Sequence, residues 1–123
     1  MDACYSFVKN FANTKYEDLP PKVVEETKKQ VLDFIGVALA GFNKEGAKEV
    51  RELAIELGGA QQSSIIGPDT KAPPLNAAKA NASVAHSLDF DDVHEAAIMH
   101  PGVITIPTSF AMAEYKGGLS GKD

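Results

Sequence analysis

The spacing of hydrophobic positions along this chain is that of amphipathic α-helices. The strongest pattern covers residues 21–40, where an apolar stripe runs along one side and Lys and Glu residues lie mainly off it. The stripe consists of Val24, Val31, Phe34, Ile35, Ala38 and Leu39. Pro20 and Pro21 suit a helix start, and Gly41 suits a helix end. The segment is therefore predicted to be a long helix with one buried face.

Four more segments are predicted to be helical: residues 2–14, 45–57, 75–87 and 103–115. Residues 75–87 are rich in alanine, which favours close packing and burial. The segment of residues 63–66 is too short to form more than a small two-stranded sheet. Gly36, inside the long helix, indicates a close helix crossing at that position. The chain is accordingly predicted to be all-α.

Composition narrows the class of protein. The chain has 123 residues, 44% of them hydrophobic and 24% charged, which is typical of a globular domain and excludes disorder. A net charge of −5 without a Lys/Arg cluster argues against nucleic acid as a partner. The longest apolar stretch, residues 34–42, is too short to span a membrane. A single cysteine and no visible signal peptide predict a cytoplasmic protein.

The titratable residues are concentrated in one segment. All 3 histidines fall between residues 86 and 100, together with three aspartates. These residues are His86, Asp89, Asp91, Asp92, His94 and His100. Histidine changes charge near neutral pH and carboxylates fix its protonation, so the segment suits proton transfer or metal binding. His100 is the strongest candidate, because the following Pro-Gly places its ring on a rigid loop.

Most metal-binding motifs fail on spacing. His94-Glu95 opens a zinc-protease motif, but Ile98 stands where its second histidine should be. A calcium loop beginning at Asp89 would need glycine where His94 stands. An acidic magnesium site that uses Asp91 and neighbouring carboxylates remains a weaker alternative, and the prediction is that no metal is bound.

Five of the candidates also have a purely structural interpretation, and such an interpretation is weaker for His100. Asp91 and Asp92 fit a solvated helix start, where the helix dipole favours negative charge. His86 fits a hydrogen-bonded core position in the alanine-rich helix. Asn81 could bond a neighbouring backbone, and His94 could be an ordinary surface residue.

The block His86-Ser-Leu-Asp89-Phe-Asp91-Asp92, with His94 and then His100-Pro-Gly, resembles the core signature of the MmgE/PrpD family. Shorter matches agree in order along nearly the whole chain. They are Asp18-Leu-Pro20, Leu32-Asp33-Phe-Ile-Gly36, Ala40-Gly41, Ala77-Ala78 before Asn81, and Ala113-Glu114 followed by Ser120-Gly-Lys-Asp123.

The resemblance implies a fold and a chemistry. Members pair a large all-helical domain with a smaller α/β lid and are typically homodimers, so residues 1–123 are expected to be the N-terminal part of the helical domain. Members include 2-methylcitrate dehydratase, cis-aconitate decarboxylase and iminodisuccinate epimerase. They move a proton at a carbon next to a carboxylate. The expected function is thus that of a lyase or isomerase acting on a small polycarboxylate without a cofactor.

The resemblance also assigns residues. Asp89 and His100 match the catalytic aspartate and histidine of the family. Independently of the resemblance, Asp89 lies at i+3 from His86 on a plausible helix face, so His86 is expected to hold it. Substrate binding or support is expected from His86, Asp91, Asp92, His94 and Asn81. Val93 stands where the decarboxylase-like pattern has threonine, which weakens the case for cis-aconitate as substrate. No Lys or Arg lies between Lys79 and Lys116, so no local clamp for an anion is expected.

A second hypothesis belongs to another class of protein. The chain would then be a truncated helical module that binds or oligomerises without turnover. Lysines of a lid domain encoded after Asp123 would favour the enzyme.

Overall fold

The computed structural model describes residues 2–67 and 69–123. Over these residues the chain forms five α-helices and one antiparallel pair of short strands. The elements are α1 (Ala3–Asn13), a 3₁₀ turn (Tyr16–Asp18), α2 (Pro21–Gly41), α3 (Ala47–Glu56), β1 (Ser63–Ser64), β2 (Lys71–Ala72), α4 (Pro74–His86) and α5 (Gly102–Lys116). The all-α prediction is confirmed, and the predicted helices are all present with small differences at their ends.

Helix α4 lies at the centre of the fold and packs against α2, α3 and α5. Val84 and Ala85, near its C-terminal end, are buried against Phe34 and Ala38 of α2 and Val103 of α5. A second apolar cluster lies toward its N-terminal end and consists of Ala54, Ile65, Ala72, Ala77 and Ala80. The small alanine side chains of α4 thus let three helices approach it closely. This packing fixes the position of its C-terminal end.

The close helix crossing occurs at Gly41 and not at the predicted Gly36. A Cβ at Gly36 would meet no atom within 4 Å. A Cβ at Gly41 would collide with Ser87 Oγ and the carbonyl of Val84. The Ser87 hydroxyl lies 3.2 Å from the Gly41 carbonyl oxygen, to which it donates. The prediction for Gly36 was wrong because this glycine lies on the exposed side of α2.

The strand pair is tied to α5 by side chains. Buried Ser63 donates its hydroxyl to the carbonyl of Ala111 at 2.6 Å. The Glu114 carboxylate accepts hydrogen bonds from the Ser64 backbone at 3.0 Å, the Ser64 hydroxyl at 2.8 Å and Lys71 Nζ at 3.0 Å. Desolvation alone would raise the pKa of Glu114, but the hydrogen bonds from Lys71 and Ser64 together outweigh it and lower the pKa.

Helix α1 buries none of its residues. Phe7 and Phe11 are 65% and 62% exposed and meet edge to face, with ring centroids 4.6 Å apart. Across the described ranges, no helix combines the length and apolar character needed to cross a membrane.

Candidate functional site

The polar cluster begins where α4 ends. His86 is the last residue of α4, and the backbone N–H of Asp89 donates to its carbonyl oxygen at 3.0 Å. Asp89 has φ of 49°, in the left-handed region that aspartate tolerates better than most residues. This turn reverses the chain and returns Asp91 to the ring of His86.

Asp91 is the partner of His86, in place of the expected Asp89. The Nδ1 atom of His86 lies 3.0 and 3.1 Å from the two carboxylate oxygens of Asp91. The Asp91 side chain is only 3% exposed, whereas that of His86 is 51% exposed. An ionised carboxylate can only accept, so the arrangement fits a ring protonated at Nδ1. The expectation failed because α4 stops at His86, and the helical i+3 geometry does not extend to Asp89.

His100 lies on the other side of Asp91. It follows a turn closed by the backbone N–H of His94, which donates to the Met99 carbonyl at 2.8 Å. Its Nδ1 atom is 3.2 Å from Asp91 Oδ2, and its Nε2 atom is 3.7 Å from Asp89 Oδ1. The rings of His100 and His86 meet edge to face at 4.8 Å. The buried carboxylate of Asp91 therefore contacts two imidazoles, which also contact each other.

The Nδ1 atom of His100 is buried, and it has no aligned hydrogen-bond partner among the described residues. The short distance to Asp91 is a contact between ring and carboxylate that lacks hydrogen-bond geometry. A buried polar atom without a partner is costly, and such atoms are concentrated at functional sites.

Four of the predicted residues come together. His86, Asp89, Asp91 and His100 each offer one nitrogen or oxygen atom, and these atoms all lie within 4.8 Å of one another. We call this set the His–Asp cluster. Two imidazoles beside two carboxylates can move a proton or hold a divalent cation.

The other three predicted residues lie outside the His–Asp cluster. The Asp92 carboxylate accepts from the backbone N–H of Gly102, at 3.0 and 3.1 Å, and thereby holds the start of α5. His94 is exposed, and its Nδ1 accepts from the backbone of Ala97 at 3.1 Å. Asn81 is buried inside α4, and its side chain bonds the backbone of Ser64 and Ile66. The contacts of these three residues therefore fit their structural interpretations and not a role in the His–Asp cluster.

A groove of about 470 Å³ runs beside His86 between α4 and α5. Its polar lining from α4 consists of Lys79, Ser83 and His86, and Thr108 faces them from α5. Sequence reasoning placed Lys79 outside the candidate segment and missed it. The i, i+4, i+7 spacing of Lys79, Ser83 and His86 was the signal, because it puts all three on one side of a helix.

The fold and the His–Asp cluster define a class: a helical domain that carries acid–base side chains at the end of its central helix. The family model of the MmgE/PrpD N-terminal domain matches residues 6–123, and the chain belongs to this family.

Curated proteins of known name are similar to this chain. The cis-aconitate decarboxylases of Mus musculus and Homo sapiens are each 30% identical over 110 residues, or 89% of this chain. The cis-aconitate decarboxylase of Aspergillus terreus is 27% identical over 103 residues, or 84% of this chain. The matched segment spans 22%, 23% and 21% of these three relatives, respectively.

Proposed function

We propose that this chain supplies one wall of the active site of a lyase or isomerase that moves a proton at a carbon next to a carboxylate. The observation that carries the proposal is the placement of the His100 ring between buried Asp91 and exposed Asp89. The substrate class is a small polycarboxylate. The proposal includes a cytoplasmic homodimer and a reaction without a cofactor, as in the best-known members of the family.

His100 is the proposed general acid–base. With its Nδ1 side turned to Asp91, the ring keeps Nε2 on the side of Asp89. A neutral ring protonated at Nδ1 has its lone pair on Nε2, which can take a proton from substrate carbon. Asp91 orients the ring and stabilises its cationic form. Asp89, whose side chain is 81% exposed, is the complementary proton carrier.

Charge is the main objection, because three carboxylates would repel an anionic substrate. Two of them are already engaged: Asp91 by two imidazoles and Asp92 by the N-terminus of α5. Lys79 lines the groove that His86 shares and supplies one positive charge there. The site thus has one free carboxylate and one nearby cation, which is compatible with an anionic substrate. Further cations are expected from the lid domain.

The particular reaction is a finer proposal. The relatives named above are cis-aconitate decarboxylases, which supports decarboxylation. Val93 lacks the hydroxyl expected of that reaction, which supports dehydration of a 2-methylcitrate-like substrate, or epimerisation. A substrate panel must include all three.

The test compares two histidine variants of the full-length gene product. His100→Gln should lower kcat by about 10²-fold or more with little change in KM, because proton transfer is lost while binding is kept. His94→Gln is the matched control and should retain near-native kcat, since His94 lies outside the His–Asp cluster. Turnover is followed with citrate-like, aconitate-like and amino-dicarboxylate substrates.

Near-native turnover of His100→Gln would overturn the catalytic role of this residue. Proton exchange with solvent provides a second measurement, since deuterium should enter the substrate beside its carboxylate only when His100 is present. A well-folded protein inactive on the whole panel would favour the alternative of a helical binding module.

A further inference from the structure

The His–Asp cluster has the donors of a metal site as well as those of a proton carrier. We propose that it binds one Zn²⁺ ion per chain. His86, Asp91 and His100 are the principal ligands, and Asp89 is the fourth. This inference goes beyond the proposed function, and its central test does not depend on turnover.

The donor set selects the class of metal. Two imidazole nitrogens beside carboxylate oxygens suit Zn²⁺, whereas Mg²⁺ and Ca²⁺ prefer oxygen donors throughout. Four ligands also match the coordination number of tetrahedral zinc. The magnesium alternative raised from the sequence relied on Asp91 and its acidic neighbours, but Asp92 is engaged with the backbone of α5.

The distances allow a single ion to be shared. Zinc bonds of about 2.0–2.2 Å place tetrahedral ligands about 3.4 Å apart. Asp91 oxygens lie 3.0 Å from His86 Nδ1 and 3.2 Å from His100 Nδ1. Atoms of all four residues lie within 4.8 Å of one another. The two Asp91 contacts need shifts of only a few tenths of an ångström to reach this spacing. The Asp89 side chain must move farther, because it lies on the Nε2 side of the His100 ring, and its 81% exposure leaves it room to do so.

A separate observation points to a ligand. The Nδ1 atom of His100 is buried beside Asp91 without an aligned hydrogen-bond partner among the described residues. A metal ion shared with Asp91 would satisfy this nitrogen without requiring a linear hydrogen bond. Metal binding requires an unprotonated imidazole nitrogen, so an ion held by His86 Nδ1 would displace the proton that this atom donates to Asp91.

Zinc and proton transfer use the same ring, so the two cannot occur together. An ion held by His100 and Asp91 would occupy the acid–base pair and inhibit the proposed reaction, a consequence that rests on the proposed function. Zinc that binds without inhibiting turnover would contradict the acid–base role of His100 but not the metal site. Failure to bind zinc would contradict the metal site and leave the proposed acid–base role of His100 unaffected.

The test is calorimetric titration of the chain with Zn²⁺, together with the visible absorption of Co²⁺ as a geometric probe. One equivalent should bind, and Co²⁺ should give the intense bands of a four-coordinate site. Since loss of an outer-shell partner already weakens metal sites by about 10- to 100-fold, His86→Ala and Asp91→Ala should each weaken binding by at least about 100-fold. Circular dichroism establishes that each variant is folded.

Two control variants address the other zinc-binding side chains. His94→Ala removes the remaining histidine, and Cys4→Ser removes the exposed thiol. Both should bind Zn²⁺ as the unmodified chain does. Loss of binding in either control, equal affinity for Mg²⁺, or no saturable binding of Zn²⁺ would overturn the proposal.

Discussion

Asn81 and His86 are both polar residues of α4, but the hydrogen-bonding atoms around them are used to different extents. The Asn81 side chain accepts from the backbone N–H of Ile66 at 2.8 Å and donates to the carbonyl of Ser64 at 3.0 Å. Its amide is used by the backbone of the strand segment. His86 and its neighbours instead face one another, leave His100 Nδ1 unpartnered among the described residues, and open to solvent at Asp89. Polar groups that satisfy backbone hold the fold together, whereas those left with free capacity can meet a ligand.

Backbone strain separates the two groups in the same way. Among the described residues, the non-glycine positions with positive φ are Asp89 and Ile98, each at 49°. Both lie in the segment that carries the His–Asp cluster, and neither lies near Asn81. Strained positions are concentrated where side chains are positioned for function. The predictions below exchange, relax or neutralise members of the two groups.

The largest effect on stability is expected from Asn81→Asp. The change keeps the shape, removes the donor to Ser64 and buries a carboxyl group, so the free energy of unfolding should fall by about 3 kcal/mol. Urea unfolding measures it, with Asn43→Asp at an exposed position as the matched control. A loss below about 1 kcal/mol would mean that Asn81 is not a structural tie.

The reverse exchange, Asp91→Asn, should change the free energy of unfolding by about 1 kcal/mol or less. The amide oxygen can still accept from His86 Nδ1, and a buried charge is removed. Turnover of the full-length protein should fall nonetheless, because the charge that stabilises cationic His100 is gone. If Asp91→Asn lowered the free energy of unfolding as much as Asn81→Asp, Asp91 would be as important for stability as Asn81.

Ile98→Gly should raise the free energy of unfolding by about 0.5–1 kcal/mol. A β-branched residue in the left-handed region costs about 1–2 kcal/mol, and the greater freedom of unfolded glycine returns only part of this. Ile98 is 91% exposed, so little packing is lost. Ile98→Val is the control and should leave the midpoint of thermal unfolding unchanged, because it keeps the strain.

The smallest effect is expected from Glu114→Gln, and it should depend on pH. The folded-state pKa of Glu114 lies below its ordinary value of 4.5, so its stabilisation is present above that value and is lost as the pH falls through the folded-state pKa. The unmodified chain should therefore melt at a slightly higher temperature than the variant at pH 7, and the difference should shrink as the pH falls below 4.5. Glu45→Gln, at an exposed loop position, should show no such pH-dependent difference.

The helices were predictable because their burial follows the apolar period. The segment at Val103 would suit a strand by itself, yet it forms α5, since its buried positions recur with helical spacing at Val103, Pro107 and Ala111. The apolar period of α1 correctly indicated a helix but not its burial, because Phe7 and Phe11 lie on the surface. Periodicity reports which side of a helix is apolar and does not say what covers it.

The membership of the site was predictable only in part. Composition placed His86, Asp91 and His100 in one segment, but their pairing depends on a left-handed turn at Asp89 that no residue pattern specifies. Asn81 was grouped with them, although its amide bonds the backbone of Ser64 and Ile66. Lys79 was left out because it is distant in sequence and near only along a helix.

The tight fit around Gly41 and Gly102 has a consequence for genetics. A Cβ at Gly41 would strike Ser87, and one at Gly102 would strike the Asp92 carboxylate. The first contact fixes the end of α4 that carries His86, and the second fixes the start of α5 just after His100. In a saturation library scored for activity, both glycines should tolerate as few replacements as a catalytic histidine. Activity scores alone would therefore assign both glycines to the catalytic site. An abundance assay run in parallel would show that their replacements lower the amount of folded protein, whereas replacements of a catalytic histidine do not.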